Sequence, residues 1–551
     1  MLTPDELAAI PIFSTLSPGA LADVARAAAD IHLNAGEYAV YEGEPPALFV
    51  VVEGAIEVVK LVDGIERKIG MRMPGKLFGE IPLVFGTQFQ GSFRASEPTR
   101  VLKVDARPYY AIATSSPELA RSMDEQARER IGGLQKIAAE PRNAQVMLLG
   151  NRWDSACLDL RRFLERNQIS FSWLKPEDSN LADHWPGTLP PESDCPVLRL
   201  ADGAMLVKPQ PREFAALVGL QTTPRFKEYD TIIIGGGPAG LAAAVYGASE
   251  GLRTIVVEQE APGGQAETSS RIENYLGFPS GISGSELASR ALRQAKRLGA
   301  EILVARKIVR LDPHARRIVL DNDEVLQART VILASGVSWR RLAAAGFDRL
   351  LGKGIFYGAA RSEASHAQGL DVHLIGAGNS AGQAAMFFAN HARAVTLIVR
   401  ADALEKSMSQ YLIGQIRTKS NIRTALRSEV KAVYGDTHLT AIDILDRGAN
   451  EIRREESGGL FVFIGVDAET GWLPPEIARD PRGYILTGGD VVKAGRWKES
   501  RDPYLVETSV PGIFACGDVR YSPVKRVASA VGEGSIAIAF VHQYLASAGS
   551  A

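Results

Sequence analysis

Two segments about 140 residues apart constrain the fold most: "YDTIIIGGGPAGLAAAVYGA" and "LDVHLIGAGNSAGQAAMFFA". Each is an apolar run of strand length that enters a glycine-rich turn and then a helix of small residues. In the first, Gly235, Gly237 and Gly240 form G-x-G-x-x-G. The first glycine permits the turn, the second lets backbone approach a pyrophosphate, and the third lets helix pack on strand. Pro238 opens the helix, whose positive end then faces the phosphates. A second strand, "RTIVVE", ends in Glu258, 23 residues after Gly235, where a carboxylate accepts from a ribose hydroxyl. The second copy carries Gly376, Gly378, Ser380 and Ala381, and its following strand "AVTLIVR" ends in Arg400. A base there suits a ribose 2′-phosphate, which favours NADPH over NADH. These are two copies of one nucleotide-binding device, and they predict a flavin and a nicotinamide.

A chain of 551 residues exceeds one core, so three or four domains are expected. With 46% apolar and 23% charged residues it reads as globular. A net charge of -2 gives no reason to expect nucleic acid or an acidic membrane surface as partner. The cysteines, Cys157, Cys195 and Cys516, show neither CxxC nor Cys/His ligand spacing. That argues against a disulfide framework and a zinc site. "MLTPDELAAIPIF" does not resemble a signal peptide. The apolar stretch after residue 230 is broken by its glycines and flanked by Lys227, Glu228, Asp230, Glu250 and Arg253, which argues against a membrane span. A cytoplasmic location is expected.

Residues 1–140 open with a helix in "SPGALADVARAAA", where Ser17 caps and Pro18 suits the first turn. Short alternating strands broken by glycine follow and predict a β-roll, then a helical tail "PELARSMDEQARERIGGLQKIA". Residues 143–222 alternate strands and helices: "AQVMLLG", "ACLDLRRFLERN", "ISFSWL", "DCPVLRLADGAMLV" and "PREFAALVGL". "TTPRFKEY" reads as a linker to the largest block, 228–551.

Within that block "IIIGGGPAGLAAAVYGASEGLRTIVVE", "GGQAETSSRIENYLGFP", "ILASG", "IGAGNSAGQAA" and "GIFACGDVR" occur in an order that resembles the low-molecular-weight thioredoxin reductase family. The resemblance implies two Rossmann-like three-layer α/β domains. An FAD domain comes in two pieces, 228–338 and 468–545, with a nicotinamide domain, 339–467, inserted between them. It places Gly264, Gln265 and Asn274 along the FAD, and Gly517 and Asp518 at its ribityl and phosphate end. Read from the residues, "GD" supplies a close-approach glycine and a carboxylate for hydroxyls. The family carries two adjacent arginines and a third soon after on the coenzyme side. This chain has Arg400-Ala401 and then Glu405-Lys406, so Lys406 is the helper expected and NADH stays an alternative.

The family also carries "CATC" before the second glycine loop, where this chain reads Gly358-Ala359-Ala360-Arg361. A dithiol relay needs two thiols that can form one bond of fixed geometry, so the family's route to thioredoxin is not expected. Hydride transfer to flavin needs mainly positioning and exclusion of water, and survives. Tyr357 and Arg361, with Ser362 and Glu363, occupy the slot; Tyr357 either stacks near the isoalloxazine or is a core tyrosine. Cys516 is expected to be an inert core thiol.

Ahead of this block, "PGKLFGEIPLVFGTQFQGSFRASEPTRVLKVD" resembles the phosphate-binding cassette of cyclic-nucleotide-binding domains. Gly79-Glu80 would put Glu80 on a ribose hydroxyl. The cassette's phosphate arginine falls among Gln88-Phe89-Gln90, and Arg94-Ala95 fits a later structural position. Without that arginine the strongest contact is gone, so a degenerate packing or partner domain is favoured over retained cyclic-nucleotide binding. Residues 143–222 resemble a thioredoxin or glutaredoxin fold, with Pro196 expected to be cis and the turn at Asn151-Arg152-Trp153-Asp154 lacking CxxC. The whole resembles the bacterial cyclic-nucleotide-binding-domain thioredoxin reductase group, whose members often lack the reductase cysteines. It implies an FAD enzyme that takes hydride from NAD(P)H and passes electrons to a quinone, oxygen, a carrier or a docked disulfide protein, and a homodimer. A non-catalytic redox sensor and a thioredoxin-disulfide reductase using Cys157, Cys195 or Cys516 are the alternatives.

Overall fold

The computed structural model describes residues 3–62, 65–139, 146–269, 271–358, 367–521 and 524–548. The chain divides into two compact units, Met1–Asn143 and Ala144–Ala551.

In the first unit Ser17 caps the helix Pro18–Ala27 by accepting from the Ala20 N–H. Strands then pair antiparallel in two four-stranded sheets. One has the order Ala28–Leu33, Thr99–Asp105, Ala47–Glu53, Leu77–Phe78. The other runs Tyr38–Val40, Ser92–Ala95, Ile56–Val62, Ile65–Arg72. Phe49, Phe78, Phe89 and Phe93 fill the space between them, with Phe49 and Phe78 stacked at 4.8 Å. Gly79, at φ 95°, turns the chain into the helix Glu80–Phe85; a Cβ there would strike the Ala47 carbonyl oxygen. The helix Pro117–Ala139 completes the roll.

The second unit begins with a four-stranded sheet ordered Phe171–Leu174, Val146–Leu149, Val197–Leu200, Met205–Val207. The first pair is parallel and the others antiparallel, a thioredoxin-like arrangement. Asp154 caps the helix Ser155–Arg166 by accepting from the Ala156 and Cys157 N–H groups, each at 3.2 Å. The Cys195–Pro196 bond is cis. The last predicted helix is shorter than its sequence suggests. It spans Pro211–Phe214 and gives way to turns that end at Gly219 (φ 82°), because Phe214 and Ala215 already reach the core.

A seven-stranded sheet follows. Glu301–Leu303, Thr254–Val257, Glu228–Ile234 and Val325–Leu333 run parallel. Arg317–Leu320 and Ile308–Asp312 extend this sheet antiparallel. Its seventh strand, Ile513–Ala515, returns from far along the chain to pair with Val325–Leu333. Strands buried on both faces need apolar side chains on both, which is why "TIII" and "TIVV" do not alternate. A second, five-stranded parallel sheet has the order Ile355–Tyr357, Gly459–Val462, Asp371–Ile375, Ala394–Ile398, Ile422–Ala425. Between the two sheets the chain crosses as a short antiparallel ribbon, Ser338–Trp339 with Val466–Asp467. Among the described residues no helix is long and apolar enough to cross a membrane.

Candidate functional site

The strand Glu228–Ile234 delivers the chain into Gly235 at φ 106°. A Cβ on Gly235 would strike the Ala334 carbonyl oxygen, and one on Gly240 the Gly235 carbonyl oxygen. Packing of strand, loop and helix therefore demands both glycines. Gly237 differs: the nearest atom to a Cβ there is Gly264 Cα, 3.8 Å away. The second loop repeats the pattern. Gly376 (φ 144°) would put a Cβ 2.5 Å from the Phe463 carbonyl oxygen, whereas at Gly378 nothing lies within 4 Å. Ala381, the third position, is fully buried. Each middle glycine thus keeps open a cradle that the protein does not fill. Each cradle lies at the start of a helix, Pro238–Ser249 or Asn379–Phe388, whose N-cap glycine supplies no side-chain cap. First-turn N–H groups and the helix dipole there suit a pyrophosphate. The residues present fit two dinucleotides.

Around the first cradle Glu258, Gly264 and Gly517 come together with the loop and its helix. Glu258 Oε2 accepts from the Gly236 N–H at 2.7 Å and Oε1 from the Glu260 N–H at 2.9 Å. Burial pushes this carboxyl above its usual range, while the two N–H groups and the Arg166 charge pull it down. Glu258 braces the loop as well as standing where a ribose is expected. Gly264 (φ 58°) backs onto Gly237, with a Cβ only 3.0 Å from its Cα. Gln265 donates from Nε2 to the Val337 carbonyl, next to the ribbon. Asn274 is exposed. Gly517 (φ 74°) arrives after Ile513–Ala515; its N–H donates to Glu533 Oε2 at 2.8 Å, and a Cβ would lie 2.8 Å from Ala239 Cβ. The "GD" turn is thereby pressed on the first turn of Pro238–Ser249. Burial raises the Asp518 carboxyl, and Lys525 works against it. Lys525 Nζ donates to the Asp518 and Arg520 carbonyls, each at 2.7 Å.

Around the second cradle Ser380 and Arg400 are exposed. Lys406 is engaged by Asp402 at 2.6 Å, so Arg400 is left as the main cation of the pair.

Tyr357 is half-buried at the end of the strand Ile355–Tyr357. Its hydroxyl accepts from the Leu342 N–H at 2.7 Å and its ring meets Phe347 edge-on at 5.8 Å. It packs against the core that holds Ile355 and Leu460. Arg361, Ala359 and Ala360 lie outside the described residues. At Gly358 a Cβ would lie 3.4 Å from Trp339 and 3.8 Å from Thr268 Oγ1. Trp339, on the ribbon, is the aromatic at this junction, edge-on to Phe463 at 6.2 Å. Sequence reasoning missed it, although it stands just after "ILASGVS".

All three cysteines are free. Cys516 is fully buried and its thiol pushed far up by desolvation. Burial pushes the Cys157 thiol up to about 12, and that of half-buried Cys195 is also raised by burial. In the front unit Glu80 is buried with Oε1 paired to Arg130 Nη1 at 2.9 Å.

One mixed and one parallel sheet, joined by a ribbon, each carry a glycine-rich loop that opens a helix. A family profile described as "Pyridine nucleotide-disulphide oxidoreductase" matches residues 229–534, and one for the cyclic nucleotide-binding domain matches 30–115. The chain belongs to the pyridine nucleotide-disulphide oxidoreductase family, among its thioredoxin reductase-like flavoproteins, and carries an N-terminal cyclic nucleotide-binding domain. It is 34% identical over 59% of its length to 68% of a bifunctional thioredoxin reductase/thioredoxin of Mycobacterium leprae. It is 30% identical over 58% of its length to 98% of a 34.2 kDa protein in the rubredoxin operon of Clostridium pasteurianum. The solved thioredoxin reductase of T. acidophilum superposes on 58% of this chain and 99% of its own, with TM-score 0.52 and 29% identity.

Proposed function

We propose that the chain is an FAD-dependent NAD(P)H oxidoreductase, with NADPH as the favoured coenzyme, that hands electrons to a separate acceptor without an internal CxxC. The two open cradles at Gly237 and Gly378 carry this reading. FAD is assigned to residues 228–338 and 468–545, held by Gly235, Gly237, Pro238, Gly240, Glu258, Gly264, Gln265, Asn274, Gly517 and Asp518. The nicotinamide coenzyme is assigned to residues 339–467, held by Gly376, Gly378, Ser380, Ala381 and Arg400, with Lys406 at the rim. When bound, the pair supplies hydride transfer from the dihydronicotinamide to the flavin. The chain's own work is to bind, orient and keep water out. Helix N-terminal N–H groups take the diphosphates, Glu258 and Asp518 take hydroxyls, and Trp339 with Thr268 walls the junction by Gly358.

Three free cysteines, two of them buried, support an acceptor outside the chain. The relative in a rubredoxin operon supports a small protein carrier as that acceptor. A redox sensor is the second reading, favoured because the helix Ser155–Arg166 touches both nucleotide lobes.

Anaerobic titration of the FAD-bound protein with NADPH and then NADH, followed by flavin absorbance, tests the proposal. Bleaching within seconds by NADPH at lower concentration than NADH is expected. Absence of bleaching by either overturns the oxidoreductase reading, and reduced flavin that persists in air favours the sensor.

A further inference from the structure

The β-roll of the front unit encloses a cavity of about 220 Å3 beneath the helix Glu80–Phe85. Val58, Ile81, Phe89 and Phe93 make most of its wall apolar. Arg72, Glu80 and Arg130 also line it and interact electrostatically with one another. Glu80 is only 3% exposed. Its Oε1 is taken by Arg130, but its Oε2 is buried with no hydrogen-bond partner. Arg72 repeats the pattern: Nη1 donates to the Met71 carbonyl at 3.0 Å, while Nε is buried without a partner. Buried polar atoms are almost always satisfied, so an orphaned acceptor and an orphaned donor on two residues that line one cavity mark a place for a ligand.

The charges point the same way. Two guanidinium groups against one carboxylate leave this cluster with one uncompensated positive charge. Burial, and then the like charge of Arg130, depress the Arg72 pKa, with Glu80 opposing. Gln90, where the cassette arginine was expected, donates to the Gln88 carbonyl at 3.1 Å and brings no charge. The anion pole therefore sits at Arg72, the last residue of the strand Ile65–Arg72, on the cavity that Glu80 also lines rather than on the cassette turn.

We propose that this cavity binds a small hydroxy acid, whose carboxylate is taken by Arg72 and whose neighbouring hydroxyl donates to Glu80 Oε2. Its body is branched aliphatic or aromatic, to match the apolar wall. The volume lies below the roughly 300–1,000 Å3 of drug-sized sites, which limits the ligand to a compact one. A monoanion neutralises the cluster, and the hydroxyl fills the vacant acceptor. A cyclic nucleotide offers an anion and a hydroxyl on a larger, more polar body, and the experiment separates the two.

Isothermal titration of the full-length protein is carried out with mandelate, salicylate and 2-hydroxyisovalerate, beside phenylacetate, cyclic AMP and cyclic GMP. At least one hydroxy acid is expected to bind more tightly than either cyclic nucleotide, and mandelate about tenfold more tightly than phenylacetate, which lacks the hydroxyl. Arg72→Gln is expected to weaken hydroxy-acid binding about tenfold or more with the melting temperature retained, and Arg72→Lys to recover part of it. Glu80→Gln is expected to level the mandelate and phenylacetate affinities. No heat from any of the three hydroxy acids, unchanged binding in Arg72→Gln, or tighter binding of a cyclic nucleotide overturns the proposal.

Discussion

Trp153 lies flat against His438, with ring centroids 4.7 Å apart and planes 12° from parallel. Trp153 belongs to the turn before the helix Ser155–Arg166, the turn that the sequence leads one to expect where a thioredoxin carries its CxxC. His438 belongs to the loop between the strands Ser428–Tyr434 and Ala441–Asp446. At the far end of the same helix Arg166 donates from Nε to Glu267 at 2.5 Å and from Nη1 to Glu260 at 2.7 Å. Leu158, between them, packs in the core around Phe461 and Phe388. One helix thus grips both nucleotide lobes, which are otherwise joined by the ribbon at Ser338–Trp339 and Val466–Asp467.

Loosening that grip should free the ribbon. In the W153A/R166A variant, amide exchange at residues 338–340 and 465–467 is expected to rise several-fold over wild type. The strands Thr254–Val257 and Ala394–Ile398, inside the two sheets, should stay protected. Exchange followed by mass spectrometry reads both. Equal protection of the ribbon in the two proteins would show that the helix packs on the lobes without restraining them.

The two kinds of glycine in each loop should separate by phenotype. Gly378→Ala meets open space, so the fold should hold within about 0.5 kcal/mol. Its methyl group stands in the cradle, and the KM for NADPH should rise about tenfold or more. Gly240→Ala strikes the Gly235 carbonyl, and overpacking of that kind costs about 1–3 kcal/mol or more. Melting temperature and steady-state kinetics on the two variants distinguish loss of binding from loss of fold.

Coenzyme choice should rest on Arg400. Arg400→Ala removes an exposed cation with a charge-assisted bond to offer, worth about 1.5–3 kcal/mol against a phosphate. The KM for NADPH should rise about tenfold while that for NADH barely moves. Lys406→Ala should change either by less than about threefold, because its charge is already shared with Asp402 in an exposed pair. Equal losses with both coenzymes would remove the 2′-phosphate from the account.

The two glycine loops were legible because one short pattern fixes strand, turn and helix together, and the contacts of Gly235 and Gly240 show that packing. The core strands were legible for a related reason: burial on both faces forbids alternation. Long-range pairs were not. Arg166 and Glu267 lie 101 residues apart, and nothing in either neighbourhood names the other. Tyr357 was placed in the right segment, yet its direction depends on the Leu342 N–H, which no local pattern reveals. Trp339 went unnoticed because an aromatic beside a connector carries no periodic signal. Arg72 was passed over because a terminal strand arginine is usually solvated, and only the closed roll turns its Nε into a buried donor.

The thiols should react in the order their burial sets. With the Cys157 thiol pushed up to about 12 by burial, almost no thiolate exists at pH 8. Cys516 is further suppressed, and Cys195 is half-buried. Iodoacetamide at pH 8 should label Cys195 first and the other two only after denaturation, as read by peptide mass spectrometry. The C157A/C195A/C516A variant should keep its NAD(P)H-dependent flavin reduction. Loss of that step would restore a redox role to one of them.

The coenzyme lobe should carry its own acid sensitivity. His373, 2% exposed, contacts Ser457 Oγ through Nδ1 at 2.9 Å and Glu455 Oε2 through Nε2 at 3.0 Å. The hydrogen bond from His373, with Arg423 and Arg453 nearby, holds the Glu455 carboxyl down at about 2 against a desolvation that would raise it. An unfolded chain protonates a glutamate near pH 4.3. Between those values the unfolded state binds more protons, so stability rises with pH; it is fully present above about pH 5 and is lost as the pH falls toward 2. Wild-type melting temperature should therefore drop steeply from pH 5 to pH 3. Glu455→Gln should be less stable at pH 7 by about 1–3 kcal/mol and show a shallower acid limb, because the group that titrates is gone. Parallel acid limbs in the two proteins would move the sensitivity to another carboxylate.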